Sequence, residues 1–60
     1  MAGRNNVATP YPRGTWVRVR TTNGGEIEGV LDRPYVPSFA IHVDGAMIPF
    51  ARLASVEEIQ

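Results

Sequence analysis

The sequence predicts a small all-β domain of five short antiparallel strands, strongly bent into a barrel, with a short helical turn before the last strand. Apolar and charged residues alternate with a period of two along several segments, as in strands with one buried face. Tight-turn sequences separate these segments. The chain has 60 residues, so it holds one domain with a small core.

The first twelve residues contain glycine, asparagine and proline and show no hydrophobic periodicity. Pro10 and Pro12 favour extended backbone in the residues before them. We therefore predict that residues 1–12 form a flexible or loosely docked N-terminal arm. Residues 13–60 are predicted to form the single folded domain.

The first hairpin is predicted to run from Thr15 to Leu31, and its charges indicate its register. A two-residue loop at Asn23-Gly24 would place apolar side chains opposite charged ones on both faces. A three-residue loop, with Gly24 left-handed at its last position, avoids this mixing. The pairs that it predicts are Val19 with Ile27, Arg18 with Glu28, Arg20 with Glu26, Trp16 with Val30, and Thr15 with Leu31.

A second hairpin follows a proline-containing connection over residues 32–38. Asp44-Gly45 is a strong signal for a type I′ turn of two residues. Such a turn places six apolar residues on one face, which is predicted to face the core. They pair as Val43 with Ala46, Ile41 with Ile48, and Phe39 with Phe50.

The end of the chain predicts a helical turn and a closing strand. Residues 50–53 alternate poorly and suit a single helical turn. Residues 54–59 could form a last strand or a short helix, and we favour the strand because so short a helix does not persist alone. Leu53 and Val56 are the predicted core members here. This strand is also the candidate open edge through which copies could associate as a homo-oligomer.

The pattern resembles that of the Sm-like and SH3-like small barrels. The resemblance is carried by Val17-x-Val19, Glu26-Ile27-Glu28-Gly29-Val30-Leu31 and Ile41-x-Val43-Asp44-Gly45-x-x-Ile48. In the Sm family a glycine lets the second strand bend, which implies that role for Gly29. The RNA-binding role is not implied, because residues 32–35 lack the family's asparagine and residues 44–45 carry an acid where the family has arginine. Residues 1–12 also offer no counterpart of its N-terminal helix.

Composition narrows the function classes. There is no cysteine and one histidine, so no disulfide, metal site or cofactor is predicted. The formal net charge is zero, which weighs against a general nucleic-acid coat. No apolar run reaches membrane-spanning length and no signal peptide is evident, so we expect a cytoplasmic protein. The basic residues are all arginine, which suggests a GC-rich genome such as that of an actinobacterium or its phage.

No constellation of residues predicts catalysis. His42 has no nucleophile or orienting carboxylate placed beside it by a motif, so a surface role is simpler. Glu26 and Glu28 share a strand face, but their predicted arginine partners explain both. Asn23-Gly24-Gly25 precedes a strand and not a helix, so it is a turn and not a phosphate-binding loop.

Trp16 is the main candidate for a functional residue. By strand parity it points outward, opposite Val30, where it could anchor a protein partner or stack on a nucleobase. The alternative is that Val7, Tyr11 or the loop containing Tyr35 covers it as a second small core. We predict a non-enzymatic binding module, an adaptor or regulator whose partner is a host protein or a second copy. The alternative function is a nucleic-acid-binding domain of the Sm-like or SH3-like type that uses the same arginines and aromatic residues. General affinity for nucleic acid is predicted to be weak. The predicted contact residues are Trp16, Arg18, Arg20, Val30, Arg33 and Tyr35.

Overall fold

The structure is a computed structural model that describes residues 6–59. The strands are β1 (Trp16–Thr21), β2 (Glu26–Val30), β3 (Ile41–Val43), β4 (Ala46–Ile48) and β5 (Leu53–Glu58). Two 3₁₀ turns, Asn6–Ala8 and Phe50–Arg52, are the only helical elements in this part of the chain. The all-β class, the helical turn before the last strand and the closing strand itself are therefore confirmed.

The strands form two antiparallel sheets and not one closed barrel. A three-stranded sheet has the order β2-β1-β5, and β3 pairs with β4 in a second sheet. The sheets meet just after β2, where Leu31 forms a β-bridge with Val43. There the Asp44 amide donates to the Val30 carbonyl at 3.1 Å. Within residues 6–59, β4 and β5 do not pair, so the predicted five-stranded barrel is not closed.

The first hairpin has the predicted register. The Thr21 amide donates to the Gly25 carbonyl at 2.9 Å, which closes a loop over residues 22–24. Gly24 has a φ of +91°, the left-handed conformation that the last position of this loop requires. The confirmed pairs are Trp16 with Val30, Arg18 with Glu28, Val19 with Ile27, and Arg20 with Glu26.

In the second hairpin the predicted turn is confirmed, but only part of the predicted pairing is observed. Asp44 and Gly45 have φ values of +47° and +82°, as a type I′ turn requires. The observed pairs are Ile41 with Ile48, His42 with Met47, and Val43 with Ala46. The predicted burial of Phe39 is wrong, because its side chain is 66% exposed. Residues 36–39 form a tight turn instead, in which the Phe39 amide donates to the Val36 carbonyl at 3.1 Å.

The core draws on both sheets and on the loop after β2. Leu53 and Val56 are buried as predicted, whereas Ile27, Ile48 and Phe50 are only partly buried against the core. Each fully buried aliphatic side chain stabilises the fold by about 1.5–3 kcal/mol. The buried residues are Val17, Val19, Leu31, Tyr35, Ile41, Val43, Leu53 and Val56.

Residues 6–12 dock on the domain. Val7 and Tyr11 pack against the core. Tyr11 and Tyr35 exchange backbone hydrogen bonds of 3.2 and 2.8 Å, and the Tyr35 hydroxyl donates to the Val7 carbonyl at 2.5 Å. Residues 6–12 of the predicted arm therefore contact the core through Val7 and Tyr11, and residues 1–5 lie outside the described residues.

Gly29 lies where β3 approaches β2 too closely for a side chain. A Cβ at this position would be 2.8 Å from Val43 Cγ1 and 2.8 Å from Asp44 Cγ. Carbon atoms in good contact are about 3.5–4.0 Å apart. The glycine expected at the bend of the second strand is thus explained by close packing against the second hairpin.

Candidate functional site

The outward face of the three-stranded sheet carries its side chains in three rows that cross the strands. The Ile59 amide donates to the Trp16 carbonyl at 2.8 Å, so the pairing of β1 continues one residue beyond β5. We call the residues of these three rows the outward face. In order along β1, the rows are Val30, Trp16 and Ile59; Glu28, Arg18 and Glu57; and Glu26, Arg20 and Ser55.

Trp16 lies at the centre of an apolar row and remains open to solvent. Its side chain is 49% exposed, and that of Val30 is 44% exposed. Ile59 is half-buried on the other side. Val7 and Tyr11 pack against the core and leave Trp16 open. Contiguous apolar surface of this kind commonly marks a contact site.

Arg18 is held by three carboxylates. Its Nε lies 2.8 Å from Glu28 Oε2 and 3.2 Å from Glu26 Oε2. Its Nη1 lies 3.3 Å from Glu57 Oε1. The hydrogen bond and charge of Glu28, with smaller contributions from Glu57, raise the pKa of Arg18 above its ordinary value. Arg18 is therefore a fixed cation that ties β1 to both neighbouring strands.

Arg20 is bound more loosely. Its Nε lies 3.7 Å from Glu26 Oε1, which is an ion pair without a normal hydrogen bond. Exposed pairs of this kind contribute about 0–1 kcal/mol, so Arg20 can exchange Glu26 for another anion at little cost. Taken together, the outward face has two arginines and three glutamates and carries a net negative charge.

The structure does not bring all six predicted contact residues together. Tyr35 is 1% exposed and belongs to the core, so its predicted place on the contact surface is wrong. Its backbone pairing with Tyr11 places it beneath the N-terminal segment, where its hydroxyl reaches the Val7 carbonyl. Arg33 is exposed in the loop after β2, and within residues 6–59 it makes no hydrogen bond or ion pair.

Both tyrosines are shifted towards their neutral form. Burial raises the pKa of Tyr35 above 10.0, and the neighbouring Tyr11 raises it further. Burial also raises the pKa of Tyr11, and the charges of Glu58 and Glu57 add to this shift. The phenols are therefore protonated at neutral pH and serve as packing and hydrogen-bonding groups.

Residues 6–59 contain no cluster of three or more histidine, aspartate or glutamate side chains placed to hold a metal ion. They also contain no helix long and apolar enough to cross a membrane. His42 is half-buried opposite Met47 in the β3-β4 sheet. The outward face, with its apolar row beside charged side chains, is therefore the candidate site considered below.

Sequence reasoning missed Glu57 and Ile59 as members of the outward face. Their outward position depends on the register of β5, which shifts at an irregularity opposite Arg20 and Thr21. One signal was available: Leu53 and Val56 were both predicted to be core residues, yet they are three positions apart. A strand with period two can bury both only if it contains a bulge.

Comparisons of this protein with family models, with curated proteins and with solved structures found no match. We therefore infer its function from the geometry and chemistry of its own residues.

Proposed function

We propose that this protein is a non-enzymatic binding module, an adaptor or regulator that docks a protein partner on its outward face. The observation that carries the proposal is the half-exposed Trp16 at the centre of an apolar row. An SH3-like or Sm-like barrel is part of the proposal. It is supported by the strand order β2-β1-β5 and by the Leu31–Val43 bridge to the second hairpin.

The exposed part of Trp16 is large enough to matter for binding. A tryptophan buries about 150–250 Å² when fully covered, so the exposed half offers on the order of 100 Å². At about 25 cal/mol per Å², covering it contributes about 2.5 kcal/mol. That is the size of a binding hot spot, and tryptophan is one of the residue types most often found in hot spots.

The setting of Trp16 favours a rigid contact surface. Trp16 belongs to the central strand, and Arg18 links that strand by its side chain to Glu28 on β2 and Glu57 on β5. A surface that is ordered before binding loses less conformational entropy when a partner docks. Placement on a sheet therefore increases the affinity that a small apolar contact can provide.

The alternative is a nucleic-acid-binding domain that uses the same arginines. Phosphate binding needs cations that are free to replace counterions. Here Arg18 already contacts three carboxylates and Arg20 contacts one. A phosphate on this face would also meet the charges of the glutamates. These contacts favour a protein partner, and we expect only weak, non-specific binding to random-sequence RNA or DNA.

Affinity capture tests the proposal. The full chain is immobilised and exposed to an actinobacterial lysate, the predicted host background, with and without nuclease treatment. Trp16→Ala should lose the captured protein. The matched control is Met47→Ala, because Met47 is 58% exposed but lies in the other sheet, and it should retain the protein.

Two results would contradict the proposal. Capture that survives Trp16→Ala would show that the outward face is not the contact surface. Capture that disappears after nuclease treatment would favour the nucleic-acid alternative, as would tight, steeply salt-dependent binding to random-sequence oligonucleotides. The circular dichroism spectrum of each variant is recorded to verify that it is folded.

A further inference from the structure

The carboxylates beside Trp16 indicate the chemistry of the partner. Glu28 and Glu57 occupy the row next to Trp16, one on each side of β1. Diagonal neighbours across a sheet are about 7–8 Å apart, within reach of a long side chain. Each glutamate gives one oxygen to Arg18, Oε2 of Glu28 and Oε1 of Glu57. Within residues 6–59, their other oxygens have no partner.

The charge around Trp16 is negative overall. The outward face has one more glutamate than arginines. Outside the three rows, the exposed Arg13 and Arg33 are matched in number by the exposed Asp32 and Asp44. Glu58 pairs with the buried Val17 and therefore lies on the other face of the sheet, so it is not part of the outward face. A cation that approaches Trp16 is therefore attracted, and an anion is repelled.

We propose that the outward face binds a cationic segment of its protein partner, with an arginine side chain stacked on Trp16 and paired with Glu28 and Glu57. This inference rests on the proposed function and names the chemistry that the partner must carry. Arginine suits the site better than lysine, because a planar guanidinium can stack on an indole ring and donate to two carboxylates. Val30 would contact the aliphatic part of the arginine.

Other occupants fit the charges less well. A second copy of this chain carries the same excess of glutamates on its outward face, so face-to-face pairing would bring like charges together. A nucleic acid carries phosphates and would meet the same glutamates. Both occupants are outcomes of the experiment below.

Titration of the full chain with short peptides tests the inference. Trp16 is the only tryptophan, so its fluorescence reports directly on the site. The probes are acetylated and amidated hexa-arginine, hexalysine, hexaglutamine and hexaglutamate. Hexa-arginine should change the fluorescence saturably, hexalysine more weakly, and the other two not at all. The apparent affinity should fall between about 20 and 200 mM salt, because exposed charges are screened over this range.

Variants locate the contact, and fluorescein-labelled hexa-arginine allows anisotropy measurements when Trp16 is replaced. Trp16→Leu keeps an apolar side chain but removes the aromatic ring, and it should weaken binding about fivefold, as expected for a cation–π contact. The double variant Glu28→Gln, Glu57→Gln should weaken binding at least as much. The matched control is Glu58→Gln, which also removes one carboxylate from β5 but lies on the other face of the sheet, opposite the buried Val17. It should change affinity less than twofold.

The outcomes separate this inference from the proposed function. Equal binding of hexa-arginine by the parent, Trp16→Leu and the double glutamine variant would overturn the cationic partner. The proposed function would still stand if Trp16→Ala lost the captured protein. A fluorescence change on adding a single-stranded oligonucleotide but not hexa-arginine would indicate a nucleic acid in place of the cationic partner. Concentration-dependent dimerisation that is lost in Trp16→Leu would indicate a second copy of the chain.

Discussion

Replacing Gly29 with alanine tests how closely the two sheets pack. The new Cβ would lie 2.8 Å from Val43 Cγ1 and from Asp44 Cγ, and closer still to Asp44 Oδ2. The backbone or the neighbouring side chains must therefore move by several tenths of an ångström. Overpacking of this kind costs about 1–3 kcal/mol. Alanine also restricts the unfolded chain, which returns about 0.4–1 kcal/mol.

We therefore expect Gly29→Ala to lower the free energy of unfolding by about 1–2 kcal/mol. For a domain of this size, 1 kcal/mol corresponds to about 4–8 °C in Tm. Thermal and urea unfolding followed by circular dichroism would measure the loss. The comparison is Gly25→Ala, whose Cβ would lie 2.9 Å from Thr21 Oγ1 and 3.4 Å from Asn23 Oδ1. These are turn side chains and not the packed contact between two sheets, so Gly25→Ala should cost less than Gly29→Ala.

A double variant separates the two neighbours. Asp44 has a positive φ that glycine adopts freely, so Asp44→Gly removes the carboxylate without forcing the turn. In the Gly29→Ala background it should recover part of the lost stability, and the remainder reports on Val43. An unchanged or higher Tm for Gly29→Ala would refute the close packing of β3 against β2.

Three further predictions follow from particular residues. The pKa values of Tyr35 and Tyr11 are raised above 10.0 in the folded protein, so the contribution of the two phenols to stability is complete below pH 10 and is lost as the pH rises through the folded-state pKa values. Urea unfolding measured at several pH values should show this loss. A free energy of unfolding that stays constant above pH 10 would contradict the prediction. Ser38 has a φ of +85°, so Ser38→Gly should raise the free energy of unfolding by about 0.5 kcal/mol. Glycine relieves the left-handed strain, and this gain exceeds the entropy that glycine adds to the unfolded chain. A Tm below that of the parent would count against this prediction. Val19→Asp should unfold the domain, whereas Glu28→Gln should cost less than about 1 kcal/mol, and similar thermal shifts for the two would show that the register is wrong.

The hairpins could be predicted because independent signals agreed at each of them. In the first, alternation, opposite charges and the turn glycine all required the same three-residue loop, so the pairing of Arg18 with Glu28 followed. In the second, Asp44-Gly45 allowed only one turn type. Local sequence determines this kind of register.

Residues in the connecting loop could not be placed in the same way. Tyr35 is buried because it pairs with Tyr11, which is distant in sequence, and alternation carries no information about such a contact. Phe39 was assigned to the core by extending the strand pattern, but the turn at residues 36–39 ends the pattern before it. Loop burial depends on long-range pairing that a local period does not encode.

The candidate site was predicted in part. Strand parity was enough to place Trp16 and Val30 side by side on the outward face. The electrostatic character of the face was not predicted, because it depends on Glu57 and hence on the irregular register of β5. Glu57 adds a contact to Arg18 beyond the predicted pairing with Glu28, and it makes the outward face net negative.

The free energy of unfolding of Trp16→Ala tests the central claim most directly, because the claim is that Trp16 serves binding and not the core. Urea unfolding followed by circular dichroism should show a loss of about 2 kcal/mol and an intact fold, since only about half of the side chain, on the order of 100 Å², is buried and alanine keeps part of that contact. Tyr35→Ala is the comparison, and removal of this core aromatic should cost about 3–5 kcal/mol. A loss of about 3 kcal/mol or more in Trp16→Ala would contradict the account, because Trp16 would then be a structural residue.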